Sequence, residues 1–87
     1  MMYADVILPV PLPGTFTYAV PEGMDVRVGE RVLVAFGRSK TYLGIVVRVH
    51  QEKPVGYEVK PLLQAQQQML ADKRYASLQV FYDFDPL

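Results

Sequence analysis

The chain contains no cysteine, which removes two structural solutions at once. No disulfide framework can staple the fold, and no thiolate metal site can form. A reducing, cytoplasmic compartment fits that usage. Histidine occurs once, at His50, with no cysteine partner and no carboxylate at metal-ligand spacing beside it in sequence. It reads as a strand-end or surface histidine, and no metal is expected. The sequence also lacks a Gly-x-Ser-x-Gly elbow and a Gly-x-x-x-x-Gly-Lys-Ser/Thr phosphate loop. Neither serine-nucleophile chemistry nor ATP hydrolysis is therefore expected of this chain. Asp5, Glu22, Asp25 and Glu30 are dispersed over strand ends and turns, so no carboxylate pair is enforced by spacing. The reading is a non-enzymatic domain without a cofactor. The opening residues Met1 to Asp5 lack a basic region and a long apolar run, so no signal peptide or membrane span is read.

Net charge is the next absence. Nine basic and nine acidic residues give a formal charge of zero, which argues against a protein that coats many phosphates. The distribution is uneven, however. Arg27, Arg31, Arg38, Lys40 and Arg48 are accompanied by a single acid, Glu30, over the same stretch. That pattern suits either a small nucleic-acid site or a solvated strand face. With 87 residues, about half of them apolar, the chain is one small domain with a modest core.

What is present is strand punctuation. Tyr3 to Leu8 is an apolar strand. Pro9, Pro11 and Pro13 follow at alternate positions, and their missing N–H groups confine that stretch to an edge or an extended crossing. Thr15 to Val20 is a second strand, Pro21-Glu22-Gly23 a turn, and Arg31 to Phe36 a third strand. Thr41 to His50 is the longest, and Gly44 inside it suggests a bulge or sharp coil. Tyr57 to Leu63 reads as a final strand weakened by Pro61. Val32, Val34 and Phe36 share one face; Leu43, Ile45, Val47 and Val49 share one face of the next strand. Period-two alternation over short segments predicts a mainly β fold, a small antiparallel barrel of about five strands. After Leu63 the character changes. Gln64 to Lys73 is rich in helix formers and predicts a short helix. Leu78 to Phe84 reads as a strand-like apolar run able to self-associate or to add a strand to a partner. The expected division is a barrel over residues 1–63 and a separate tail over 64–87.

Two segments carry a resemblance: YADVILPVPLPGTFTYAVPEGM, Tyr3 to Met24, and VGERVLVAFGRSKTYLGIVVRV, Val28 to Val49. A weaker third match is GYEVKPLL, Gly56 to Leu63. Together these resemble the N-terminal 3′ DNA-end-binding domain of PriA, the replication-restart helicase family. The resemblance implies a module that captures the 3′-terminal nucleotide of a nascent strand at a stalled fork. It also implies partners, namely DNA ends and forks, the helicase domains of a parent protein and other primosome proteins. The family's pocket uses an aromatic residue, a polar neighbour, a glycine and a lysine. The matching positions are Phe16, Thr17, Gly37 and Lys60, with Tyr18, Arg38 and Lys40 as secondary DNA-contact candidates.

These residue types suit capture of a strand end. A ring stacks on any base, and a hydroxyl reaches a sugar hydroxyl. Glycine admits close backbone approach, and lysine meets phosphate as a point charge. Without the resemblance, Phe16 reads as core, Thr17 as a strand threonine, Gly37 as a turn position and Lys60 as an exposed lysine. Threonine at position 17 departs from the aspartate of well-known family members. Adjacent strand positions also point to opposite faces, so Phe16 and Thr17 share a pocket only where the strand begins or kinks. The competing functional readings are a structural or protein-interaction barrel and a general single-strand binder. The first needs an apolar patch, the second a continuous basic groove.

Overall fold

Alternating apolar residues bounded by glycine and proline produce strands where the pattern is densest. In the computed structural model, which describes residues 1–71, β1 (Tyr3–Ile7), β2 (Phe16–Ala19), β3 (Arg31–Phe36) and β4 (Lys40–His50) are followed by a two-residue β5 (Gln64–Ala65) and α1 (Gln66–Ala71). One five-stranded sheet runs in the order β2-β1-β4-β3-β5, and every strand pair is antiparallel. The expected mainly β class is what forms. The strand-like run expected at Leu78 to Phe84 lies outside the described residues. Among the described residues no helix is long and apolar enough to cross a membrane.

β4 organises the sheet because it serves two partners in succession. Its first half, Lys40 to Ile45, pairs with β3, and its second half, Ile45 to His50, pairs with β1. The strand must coil tightly to do this, and Gly44 sits at the changeover. A Cβ there would collide with Val6 Cγ1 and stand 2.7 Å from Leu8 Cδ2 and 2.9 Å from the Ile7 carbonyl oxygen. Glycine is thus required by the close approach of β1. The ladder irregularity lies a little further along the strand. Asp5 pairs with Arg48 and Val6 with Val46, leaving Val47 as the extra residue of a bulge.

That bulge corrects the face assignment of β4. Leu43, Ile45 and Val47 do share a face, but it is the solvent face, where all three are exposed. Gly44 and Val46 point inward. Beyond the bulge the parity inverts, and Val49 packs against the core. A one-residue insertion moves every later side chain to the other face. The core holds Ala4, Val6, Leu8, Tyr18, Val32, Val34, Val46 and Leu62.

The Tyr57 to Leu63 stretch is not a strand. Its ladder contact is an isolated parallel bridge between Pro61 and Ala19. The Ala19 N–H donates to the Lys60 carbonyl at 2.9 Å, and the Leu62 N–H donates to the Ala19 carbonyl at 2.9 Å. Both bonds use the neighbours of Pro61, so its missing N–H costs nothing there, while any longer ladder would need it. The Leu63 N–H then donates to the Leu33 carbonyl at 2.8 Å, and β5 adds to β3. The segment from Lys60 to Ala65 therefore leans on both edges of the sheet without joining them by a continuous ladder. The fold is a partly open sheet rather than a closed barrel.

The predicted helix over 64–73 begins two residues late, at Gln66, because Gln64 and Ala65 pair with Leu33 and Val32. Gln68 Oε1 accepts from the Ala65 N–H at 2.8 Å, a side chain reaching back from the third helical position to the N-cap. Gln66 is buried and its Oε1 accepts from the Arg31 N–H at 2.9 Å. Met69 is fully buried, and the Gln66–Arg31 bond ties α1 to β3.

Candidate functional site

Where the sheet stays open, beside the outer edge of β2, lies a cavity of about 220 Å³ lined by Phe16, Thr17, Tyr18, Ala35, Phe36, Gly37, Tyr57, Glu58 and Lys60. β2 supplies one wall, the end of β3 the second, and the non-strand crossing before Lys60 the third. Phe16, Thr17, Gly37 and Lys60, from three separate stretches of the sequence, border this one cavity, and so does Tyr18. Arg38 and Lys40 do not line it. They stand exposed on the β3–β4 hairpin next to Gly37.

The aromatic wall is braced edge to face. Phe16 and Phe36 have ring centroids 5.0 Å apart at 74°, and Phe36 meets Tyr42 at 6.1 Å and 68°. Such pairs hold ring orientation beyond what area burial provides. Tyr18 is buried, and its hydroxyl donates to the Ala35 carbonyl at 2.9 Å. This bond ties β2 to β3 across the open side. Burial raises the Tyr18 phenol above its ordinary pKa, with a smaller push from Tyr57, so it remains a donor. At the mouth, Lys60 Nζ donates to the Gly37 carbonyl at 3.4 Å. Gly37 has φ of 73°, a conformation that a side chain would strain. Lys60 shares the cavity with one acid, Glu58, so the site is not a basic groove.

Phe16 and Thr17 reach the same cavity because it runs along the free edge of β2, and an edge is bordered by both faces of its strand. Their side chains still diverge. Phe16 packs inward with Phe36, whereas the Thr17 hydroxyl donates to Asp5 Oδ1 at 2.7 Å on the opposite face. Register sets this up, since Asp5 pairs with Thr17 on one side and with Arg48 on the other. His50 Nε2 lies 2.8 Å from the same Asp5 oxygen, and Arg48 is 3.7 Å from the other. His50, read from sequence as lacking a carboxylate neighbour, therefore has one supplied from 45 positions away. Burial opposes ionisation of Asp5 and is the largest single influence. The hydrogen bonds from His50 and Thr17, with the charges of His50 and Arg48, outweigh it and hold the carboxyl below its ordinary range.

The basic stretch does not assemble into one face. Arg27 pairs with Asp25 at 3.6 Å, Arg31 is buried, and Arg48 pairs with Glu52 at 2.8 Å. Of that stretch, Arg38 follows Gly37 in sequence and Lys40 pairs with Phe36, both exposed. Among the described residues no cluster of three or more metal-ligating side chains occurs. The sequence reading missed Ala35, Phe36, Tyr57 and Glu58. Tyr57 carried the one usable signal, an aromatic three positions before Lys60 in a glycine-flanked segment.

Comparison with known families closes the question of kinship. Residues 5–82 match the family described as the 3′ DNA-binding domain (3′BD) of PriA. That span takes in every cavity residue, and the family's work is binding rather than catalysis. The chain belongs to the PriA 3′ DNA-binding domain family, and is a DNA-binding module for 3′ ends in replication restart.

Proposed function

We propose that the cavity beside β2 receives the 3′-terminal nucleotide of a nascent strand at a stalled fork. Phe16, held edge-on by Phe36, contacts the base, and Tyr57 closes over it from the crossing segment. Thr17 meets the terminal sugar hydroxyl. Gly37 lets the backbone approach, and Lys60 contacts the adjoining phosphate. Arg38 and Lys40 give weaker, sequence-independent help at the rim. What supports this reading is the convergence of Phe16, Thr17, Gly37 and Lys60 from three segments on one cavity. Its volume, about 220 Å³, lies below the ~300–1,000 Å³ of drug-sized ligand clefts, which suits one terminal residue rather than a run of nucleotides.

A single stacked base and a single lysine give modest affinity once the cost of association is met. That is workable if the domain is one module of a cytoplasmic helicase, acting with the helicase domains and other primosome proteins. Linked domains raise the effective concentration of the end at its pocket. The test compares one oligonucleotide with a 3′-hydroxyl against the same strand with a 3′-phosphate. The phosphate form is expected to bind more weakly, and a 5′-phosphate to matter little. Equal affinity for the two 3′ ends would remove the end-capture reading.

A further inference from the structure

Of the four methionines, Met69 is fully buried. The other three, Met1, Met2 and Met24, line a second cavity of about 460 Å³ together with Val20, Pro21 and Glu22. This cavity begins where β2 ends. Ala19, whose outer edge is taken by Lys60 and Leu62, stands between it and the cavity at Phe16, and the two share no lining residue. Its frame is fixed by the main chain. The Val20 N–H donates to the Met2 carbonyl at 2.9 Å, and the Met24 N–H donates to the Pro21 carbonyl at 3.1 Å. Val20 and Met24 also pack against the core. Its surface is adaptable, because unbranched, polarisable thioethers reshape around an irregular apolar partner. Met1 and Met2 stand exposed at its mouth. A preformed, mostly apolar hollow with few polar groups is the ordinary form of a binding site.

Charge narrows what it takes. Glu22 is exposed and, among the described residues, makes no hydrogen bond or ion pair. Past Gly23 and Met24 the groove runs into a smaller cavity of about 150 Å³, bordered by Asp25, Gln67 and Gln68. Neither lining contains a lysine, arginine or histidine, so a phosphate chain finds no partner there. Asp25 is 3.6 Å from Arg27 and is partly neutralised, which leaves Glu22 as the stronger anchor for a cation. Two lobes joined end to end fit an extended polypeptide better than a compact metabolite. We propose that this groove docks a peptide segment of a partner protein in which a large apolar side chain adjoins a lysine or arginine. The apolar side chain enters among Met1, Met2 and Met24, and the cation meets Glu22. Because the groove is separate from the cavity at Phe16, the domain can hold this partner and a DNA end at the same time.

The experiment titrates the full chain, isotopically labelled at its methionine methyl groups, with three acetylated and amidated hexapeptides. One alternates leucine with lysine, one leucine with glutamate, and one serine with lysine. The leucine–lysine peptide is expected to shift the methyl resonances of Met1, Met2 and Met24 and to leave that of Met69, which reports an intact core. The serine–lysine peptide should bind about 10-fold more weakly or worse, for want of a buried apolar side chain. Glu22→Gln, an exposed position without a partner to lose, should weaken the leucine–lysine peptide by about 2- to 5-fold, the worth of one exposed charge pair. It should also narrow the preference over the leucine–glutamate peptide. A 3′-hydroxyl oligonucleotide should neither move the three methyl resonances nor displace the peptide. Equal binding of the two leucine peptides to the wild type would overturn the proposal, as would a serine–lysine peptide that binds as well as the leucine–lysine one. Shifts produced by the oligonucleotide would assign the groove to DNA instead. No shift with any peptide would refute a docking site there, and would leave the reading of the cavity at Phe16 untouched.

Discussion

The two faces of β2 solve different problems with different physics. On the inner face, Phe16 and Tyr18 meet Phe36, Val6 and the core, and order comes from volume and ring contact. On the outer face, Thr17 joins Asp5, His50 and Arg48, and order comes from donors and acceptors that each have an assigned partner. The inner face holds the domain together, and its one buried hydroxyl, that of Tyr18, is partnered by the Ala35 carbonyl. The outer face is ordered by a small network of directed bonds centred on Asp5.

The largest expected effect tests the inner face alone. Gly44→Ala drives a methyl group into Val6, Leu8 and the Ile7 carbonyl, where a backbone atom cannot swing aside. Overpacking of this kind costs typically about 1–3 kcal/mol and occasionally more. In a domain this small that is a large share of the total. Thermal melting should show it, and an unchanged melting temperature would mean that β1 and β4 separate easily.

Next in size is a change at the boundary between the faces. Phe16→Ala should weaken binding of a 3′-hydroxyl oligonucleotide by about 1–3 kcal/mol, the worth of one base–aromatic contact, with a smaller fall in melting temperature because the ring is only partly buried. If the melting temperature falls sharply while binding per folded molecule holds, Phe16 belongs wholly to the core.

A smaller effect concerns charge. A pocket gripping one nucleotide contacts roughly one to three phosphates, and each contributes about −0.7 to the slope of log affinity against log salt for single strands. A total slope of roughly −1 to −2 follows. Lys60→Ala should make it shallower by about 0.7. A steep slope that Lys60→Ala leaves untouched would instead point to phosphate contacts at Arg38 and Lys40.

Much of this architecture was legible in the residues. Four strands fall where alternation is bounded by glycine and proline, because both signals are local. The facing of β4 was not legible, because the bulge at Val47 arises from pairing with β1 rather than from anything in β4 itself. Tyr57 to Leu63 has strand composition, but Pro61 can make a bridge and not a ladder. Among the described residues the last strand forms instead at Gln64 and Ala65, which pair with β3. Phe16, Thr17, Gly37 and Lys60 came from resemblance, and no spacing rule would have gathered them. The Asp5–His50 pair was hidden for the same reason: its members meet only through the register of β1 on β4.

The smallest expected effect isolates the outer face through pH. Asp5 titrates below its ordinary value of 3.8 in the folded domain, so the folded state holds fewer protons than the unfolded chain in that range. Stability then rises with pH wherever the unfolded state binds more protons. The contribution of Asp5 is complete above the unfolded value. It is lost as pH falls from there through the depressed folded value, and it is absent below both. Near neutral pH it should give no slope at all. Melting followed downward from about pH 5 should therefore decline less steeply in Asp5→Asn than in the wild type, because the variant has no carboxylate to protonate at that place. Other carboxylates titrate in both proteins and cancel in the comparison. Parallel curves would mean that the Thr17 and His50 hydrogen bonds are as well satisfied by a neutral side chain as by an ionised one.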